Sequence, residues 1–197
     1  MTTDDQRWLR YLASIGDEAP PRDTLVRALS SRSGPPGRAL DLGAGQGRDT
    51  VYLLRQGWSV TAVDRSAAAI HRIVQLCPAP LCKHLTVIES AFEEVRLPPD
   101  QDLVNASFSL PFCAADCFEN FWSEIERVLK PGGVFCGHLL GPGDDWARDG
   151  VVTETPDQIQ ERFRTWAALD IETTFGPAAT AKGRVKNWDL YKIVALR

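Results

Sequence analysis

The stretch Ala39-Leu40-Asp41-Leu42-Gly43-Ala44-Gly45-Gln46-Gly47-Arg48-Asp49-Thr50 decides the fold. An apolar strand runs into an acid, three alternating glycines turn the chain, and a helix follows directly. Glycines there let the backbone pass close to a ligand at the carboxyl edge of a sheet, and the free N–H groups of the helix start can hold an anion. A doubly wound α/β fold binds nucleotides at such a place. A tight glycine turn with no ligand is the plainer alternative.

The residues around the glycines narrow the ligand. A dinucleotide fingerprint asks for Gly-x-Gly-x-x-Gly, but its third glycine position is Arg48, and no Gly-Lys-Ser/Thr phosphate loop is present. Asp41 repels a pyrophosphate yet favours a cationic group, whereas Arg48 and the helix start can take a carboxylate. A ligand with an ammonium, a carboxylate and a sulfonium satisfies all three. Asp64 ends the next strand, Trp58-Ser59-Val60-Thr61-Ala62-Val63, and the intervening helix and Gly57 stop return it to the same sheet edge. An acid there can accept hydrogen bonds from both ribose hydroxyls; capping the next helix together with Ser66 is its alternative.

Outward from this point, strands and helices alternate. Strands are predicted near 38–43, 59–63, 85–89, 102–106 and 133–139, and helices near 47–56, 67–76 and 116–129, a mainly parallel sheet covered on both faces. In the last helix Phe118, Phe121, Trp122, Ile125, Val128 and Leu129 share a face, and Pro131-Gly132-Gly133 stops it. Thr155-Pro156-Asp157-Gln158 reads as a capping box opening a helix that runs to about Ala167. Two strands near 169–175 and 187–196, joined by the loop Gly176–Arg184, suit antiparallel neighbours. The fold expected is a doubly wound, mainly parallel seven-stranded sheet with an antiparallel last strand.

Ahead of the sheet, Ser31–Gly37 is a linker, and residues 1–37 read as a helical extension with a first helix around Trp8, Leu9, Tyr11, Leu12 and Ile15 and a second around Leu25, Val26 and Leu29. It either pads one edge of the core or closes over a bound ligand. Residues 38–197 then form one globular unit, and 197 residues suffice to bury about 70% of the unfolded surface without staples.

Twenty-two basic against 26 acidic residues give a net charge of −4, which supplies no global attraction to a long nucleic acid or an anionic membrane. The N-terminus lacks the basic segment of a signal peptide and no apolar run approaches 18 residues, so a cytoplasmic protein is expected. Five cysteines, Cys77, Cys82, Cys113, Cys117 and Cys136, fit reduced thiols, and their spacing matches no zinc knuckle, so no metal is expected.

The chain resembles the class I S-adenosylmethionine-dependent methyltransferases over nearly its whole length. Carrying the likeness are Asp41-x-Gly43-x-Gly45-x-Gly47, the strand-end Asp64, Asp102–Phe108 and Leu129-Lys130-Pro131-Gly132-Gly133, in the family's order. Asn105–Phe112, Gly141–Trp146 and Gly183–Tyr191 are similar to a small bacterial subgroup of the tellurite-resistance type. The resemblance implies S-adenosylmethionine as cofactor and S-adenosylhomocysteine as product. It places Asp41, Gly43, Ala44, Gly45 and Gly47 at the methionine part with Arg48 near its carboxylate. Asp64, with Arg65 beside it, falls at the ribose, Ser90, Ala91 and Phe92 at the adenine, and Asn105, Ala106 and Ser107 under the sulfonium. Two positions depart from the family: Ser90 stands where relatives carry an acid, and Asn187-Trp188-Asp189 where the subgroup has His-Trp-His.

Methyl transfer needs donor and acceptor held in line rather than a covalent nucleophile. Phe108, Phe112 and Trp146 are candidate substrate contacts, and His138, Asp144 and Asp145 are candidate acids or bases on the acceptor side. Plain core packing for the phenylalanines, a hydrogen-bonded strand-end histidine and a solvated acidic loop are the alternatives. The acceptor is expected to be a small molecule. A cofactor-binding regulatory protein without turnover and a nicotinamide-dependent oxidoreductase are the competing functions.

Overall fold

Strands covered on both faces need apolar residues at consecutive positions, and Ala39, Leu40, Leu42, Leu103, Val104, Val134 and Phe135 are all buried. The computed structural model describes residues 19–180 and 183–197, so the helix expected over Trp8–Ile15 lies outside the described residues. The chain runs α1 (Asp23–Ser31), β1 (Arg38–Leu42), α2 (Arg48–Arg55), β2 (Ser59–Asp64), α3 (Ala67–Leu76), β3 (Leu85–Glu89), β4 (Gln101–Ala106), α4 (Phe118–Val128), β5 (Leu129–Leu140), α5 (Pro156–Arg162), β6 (Ala168–Ala179) and β7 (Val185–Leu196). One seven-stranded sheet results, ordered β3-β2-β1-β4-β5-β7-β6, with β7 antiparallel to both of its neighbours.

Successive residues of each strand face opposite layers. On one side α4 and α5 lay Phe118, Trp122, Ile125 and Ile159 over Leu40, Val104, Phe135 and Ile193. On the other, Leu25 and Ala28 of α1 and Leu53 and Leu54 of α2 cover Ala39, Leu103, Val134 and Val194. The second helix of the N-terminal extension is thus part of the core. In register, Asp41 lies opposite both Ala62 of β2 and Asn105 of β4, and Asp64 opposite Glu89 of β3. Parallel pairing therefore brings the ends of four strands to one edge.

Three boundaries differ from those predicted. The helix opened by the Thr155 capping box stops at Arg162 rather than near Ala167. The N–H groups of Arg164 and Trp166 bond only three residues back, and these tighter turns still bring Phe163 and Trp166 into the core, so the apolar spacing outlasts the helix. Pairing of β5 begins at Leu129, opposite Gln101, and resumes at Val134, opposite Leu103, so Pro131-Gly132-Gly133 forms an irregularity within the strand. β6 continues through Gly176 and Pro177 to Ala179 because it is the outermost strand, where a proline interrupts no second ladder.

Candidate functional site

At the tip of β1 the Asp41 carboxylate, 2% exposed, accepts from Thr50 Oγ1 at 2.5 Å and from Asn105 Nδ2 at 2.8 Å. The same Asn105 amide reaches Asp49 Oδ2 at 3.2 Å, while Asp49 Oδ1 takes the backbone N–H of Arg22 at 2.9 Å. Asn105 Oδ1 in turn accepts from Ser107 Oγ at 2.9 Å and from the Cys136 thiol at 3.4 Å. Burial, with the Asp49 carboxylate beside it, pushes the Asp41 carboxyl up to about 7. Two buried acids sharing one amide form a site that favours an incoming cation.

The glycine turn is held against β2. Gly43 and Ala44 donate to the Val63 carbonyl at 2.8 and 3.0 Å, and Gly45 donates to Asp64 Oδ2 at 2.8 Å. Gly45 and Gly47 have φ of +56° and +81°, and a side chain at Gly47 would meet Ile73 at 2.7 Å. Asp64, 3% exposed, also accepts from Ser66 N at 2.9 Å through Oδ1. Burial raises its carboxyl, and these two N–H groups oppose the shift. Each carboxylate oxygen keeps a second lone pair for a ligand hydroxyl. The helix-cap and ligand readings of Asp64 are therefore compatible: Ser66 caps α3 through Ala69 N, and Asp64 braces the turn.

Beyond β3, Ser90 N donates to the Asp64 carbonyl at 3.0 Å and Ser90 Oγ to the Ala91 carbonyl at 3.0 Å, while Phe92 stacks on Phe121 with ring centres 4.6 Å apart. Arg65 is exposed beside Asp64. Ala106 is fully buried at the end of β4. The glycine turn, Asp64, Ser90–Phe92 and Asn105–Ser107 are thus brought together along the tips of β1 to β4. Arg48 donates to the Pro20 carbonyl at 3.2 Å.

The acceptor-side candidates lie above β4, β5 and β7. Phe108, at φ +54°, stacks on His138 at 3.9 Å and stands edge-on to Trp188 at 5.9 Å. Trp188 meets Trp146 at 5.3 Å, and Trp146 meets Phe112, which is 46% exposed, at 5.8 Å. His138 is buried and its Nδ1 has no hydrogen-bond partner among the described residues. Burial, with Arg22 as the next cause, holds its imidazole down to about 3, so it is neutral at physiological pH. Asp144 is buried, ion-paired to Lys186 and bonded to the N–H groups of Trp146 and Asp189 at 2.9 and 3.1 Å. Asp145 accepts from Asn187 N at 2.8 Å and keeps its carboxylate partly exposed.

Several residues here have no local sequence signal. The Lys186 ammonium sits 3.9 Å from the ring centres of both Trp188, two residues on, and Trp146, in a distant segment of the chain. Asp49 and Thr50 lie in the first turn of α2, and Arg22 directly precedes α1. Only the pairing of β1 with β4 and the path of the chain before α1 bring them to the strand tips.

Asp64→Ala should weaken binding of a nucleoside ligand about 5- to 150-fold, a loss of about 1 to 3 kcal/mol. It should also lower the melting temperature of the ligand-free protein, because the Gly45 and Ser66 N–H groups lose their acceptor. Calorimetric titration and thermal melting of the same variant check both effects.

Residues 39–133 match a family described as a methyltransferase domain. An uncharacterized methyltransferase of Synechocystis is 32% identical over 113 residues, 57% of this chain and 51% of that protein. The chain spans about half the length of the curated relatives it matches. Among solved structures, TehB from Haemophilus influenzae superimposes with a TM-score of 0.73 at 17% identity, over 89% of this chain and 62% of that one. The N-methyltransferase NodS from Bradyrhizobium japonicum, in complex with S-adenosylhomocysteine, gives 0.72 at 18% identity, over 100% and 99%. Sheet order and the acidic glycine turn agree with that match: residues 39–133, which carry the turn and the strand tips β1 to β4, are similar to a methyltransferase domain.

Proposed function

We propose that the protein transfers a methyl group from S-adenosylmethionine to a small-molecule acceptor and releases S-adenosylhomocysteine. The observation that carries this reading is the meeting of Asp41 and Asp64 at adjacent strand tips across one glycine turn, both buried and both with lone pairs to spare. The donor set fits the cofactor: the Asp41–Asp49–Asn105 cluster suits an ammonium, Asp64 with Arg65 beside it suits two ribose hydroxyls, and Ser90, Ala91 and Phe92 suit a flat purine. Bound there, the cofactor supplies an electrophilic methyl group on a sulfonium sulfur.

The chain's own task is to bind, orient and keep water out. Gly43, Ala44, Gly45 and Gly47 let the backbone pass close to the methionine part, with Arg48 at its carboxylate end. Asn105, Ala106 and Ser107 form the floor beneath the sulfonium. Phe108, Phe112 and Trp146 wall the acceptor side with aromatic faces, which favour a cation over water. His138 is a neutral imidazole and Asp144 is engaged by Lys186, which leaves the exposed face of Asp145 as the group able to take a proton from an acceptor that arrives protonated. We take residues 1–37, of which 19–37 are described, as an N-terminal extension covering the unit 38–197. The five free thiols and the charge of −4 support a cytoplasmic protein acting on small molecules rather than long nucleic acid. Among the described residues no helix is long and apolar enough to cross a membrane.

Calorimetry with S-adenosylmethionine, S-adenosylhomocysteine and NAD, followed by a radiolabelled methyl screen over thiols, phenols, amines and metalloid oxyanions, tests the proposal. Binding of the first two ligands without NAD, together with labelled product, is expected; NAD binding alone would overturn it, and cofactor binding without label in any acceptor would favour a regulatory role. The same titration carries a proton signature. In the ligand-free protein Asp41 titrates near 7, above its unfolded value of 3.8, so it favours folding below about pH 4 and that contribution is lost as pH rises through 7. An ammonium beside Asp41 favours the ionised form, so binding near pH 6 should release up to about one proton and the release should fade above pH 8. Heats measured in buffers of different ionisation enthalpy report it.

A further inference from the structure

We propose that Cys77 and Cys82 form a reversible redox pair, closed to an intramolecular disulfide by small thiol disulfides such as glutathione disulfide. The pair lies in the crossover from β2 to β3, at the opposite end of β3 from Ser90, and is independent of the methyltransferase reading. Cys77 caps α3 and donates its backbone N–H to the Ile73 carbonyl at 3.0 Å. The 3₁₀ turns Ala79–His84 follow, and their tight winding folds Cys82 back over that cap. Its sulfur ends 2.7 Å from the Cys77 sulfur and 3.4 Å from the carbonyl oxygens of both Cys77 and Pro78. A disulfide is about 2.0 Å long, so the two sulfurs need to close by only about 0.7 Å to bond.

Exposure gives the two thiols different parts. Cys82 is exposed, whereas Cys77 is buried in the apolar cluster that holds Leu53, Leu54 and Trp58. Burial, with Cys82 as the next cause, pushes the Cys77 thiol up to about 11, so it stays protonated until an electrophilic sulfur is set against it. Lys83 and His84, directly after Cys82, line with Arg38 a groove of about 290 Å³, a basic surface that draws an anionic disulfide. Cys113 and Cys136 offer no such opening: both are buried, and burial followed by a neighbouring carboxylate, Glu93 or Asp49, holds their thiols protonated.

The exchange runs in two steps. The Cys82 thiolate attacks one sulfur of glutathione disulfide, forming a mixed disulfide and expelling a glutathione thiolate, which takes up the proton that Cys82 released. Cys77 then attacks the Cys82 sulfur, and its proton goes to the second glutathione as that leaves. Two electrons and two protons thus pass from the protein to two glutathione molecules. Because the second sulfur is already in place, this step is intramolecular and outruns attack by free glutathione. Oxidation clasps the end of α3 to the turns that lead into β3, and reduction releases it.

The test uses the full chain, reduced and then equilibrated near about pH 8 in mixtures of reduced and oxidised glutathione, where an exposed thiol is partly ionised. Acid quenching, alkylation and peptide mapping by mass spectrometry should find one disulfide, between Cys77 and Cys82, that dithiothreitol reverses, with Cys113, Cys117 and Cys136 still alkylated. Cys77→Ala should stop at a glutathione adduct on Cys82, and Cys77→Ser stands in if the alanine variant melts early. Cys82→Ser should slow oxidation of Cys77 by at least about tenfold. The oxidised parent should melt no lower than the reduced one. A parent in which both sulfurs stay free, one that accumulates the Cys82 adduct without closing the ring, or one that pairs Cys82 with another cysteine would overturn the proposal. So would a lower melting temperature on oxidation, since the bond would then form only by opening the turn.

Discussion

Lys186→Met should lower folding stability by about 3 to 5 kcal/mol, the cost of leaving one half of a buried ion pair behind. The Asp144 side chain is fully buried and that of Lys186 only 4% exposed, so water cannot take over from either. Methionine has nearly the same length and fills the space between Trp146 and Trp188, so what disappears is charge rather than volume. The melting temperature should fall by about 6 to 20 °C. Lys186→Met with Asp144→Asn removes the stranded charge as well and should regain a large part of the loss. Urea unfolding of the parent, the single and the double variant measures the cycle; a single variant within 0.5 kcal/mol of the parent, on the scale of an exposed pair, would mean that the pair is solvated.

Gly45→Val should abolish cofactor binding, a loss of more than about a hundredfold, while the protein still folds. At φ +56° a residue with a Cβ costs about 1 to 2 kcal/mol, and a branched one more. That strain falls on the N–H which Asp64 receives at 2.8 Å, so this carboxylate loses its brace as the groove beside it is filled. Gly45→Ala should show the same direction with a smaller loss. Titration with S-adenosylhomocysteine beside an apo melting curve separates the two effects, and undiminished affinity in the valine variant would reduce the glycine run to a turn.

Much of this was readable because each signal was local. Gly43, Gly45 and Gly47 take the positive φ their turn requires, strand and helix lengths bring Asp64 back to the same edge, and the α4 stripe from Phe118 to Val128 buries where its spacing says it must. Failures of the reading share a cause. Trp166 keeps helical spacing after the helix has ended, because turns of three residues serve the core as well as turns of four. Pro177 looked like a loop residue because sequence does not say which strand has an empty side. Lys186, Arg22 and Asp49 act through partners 42, 86 and 56 residues away, and only strand order brings those partners near. Even Asp64 carried more than its spacing implied, since bracing Gly45 ties the stability of the ligand-free protein to the same carboxylate that would meet the ribose.

The position of β7 between β5 and β6 has a consequence for synthesis. Chains emerge N-terminus first, and domains form as units while they do. β1 to β5 can pair as each appears, but β6 has no ladder to join until Val185–Leu196 has left the ribosome, because among the described residues that strand is its sole partner. The nascent chain therefore carries an unfinished edge at β5 and a solitary strand beyond it until Val185–Leu196 is free to pair. Deleting Val185–Leu196 would remove an interior strand rather than trim the periphery.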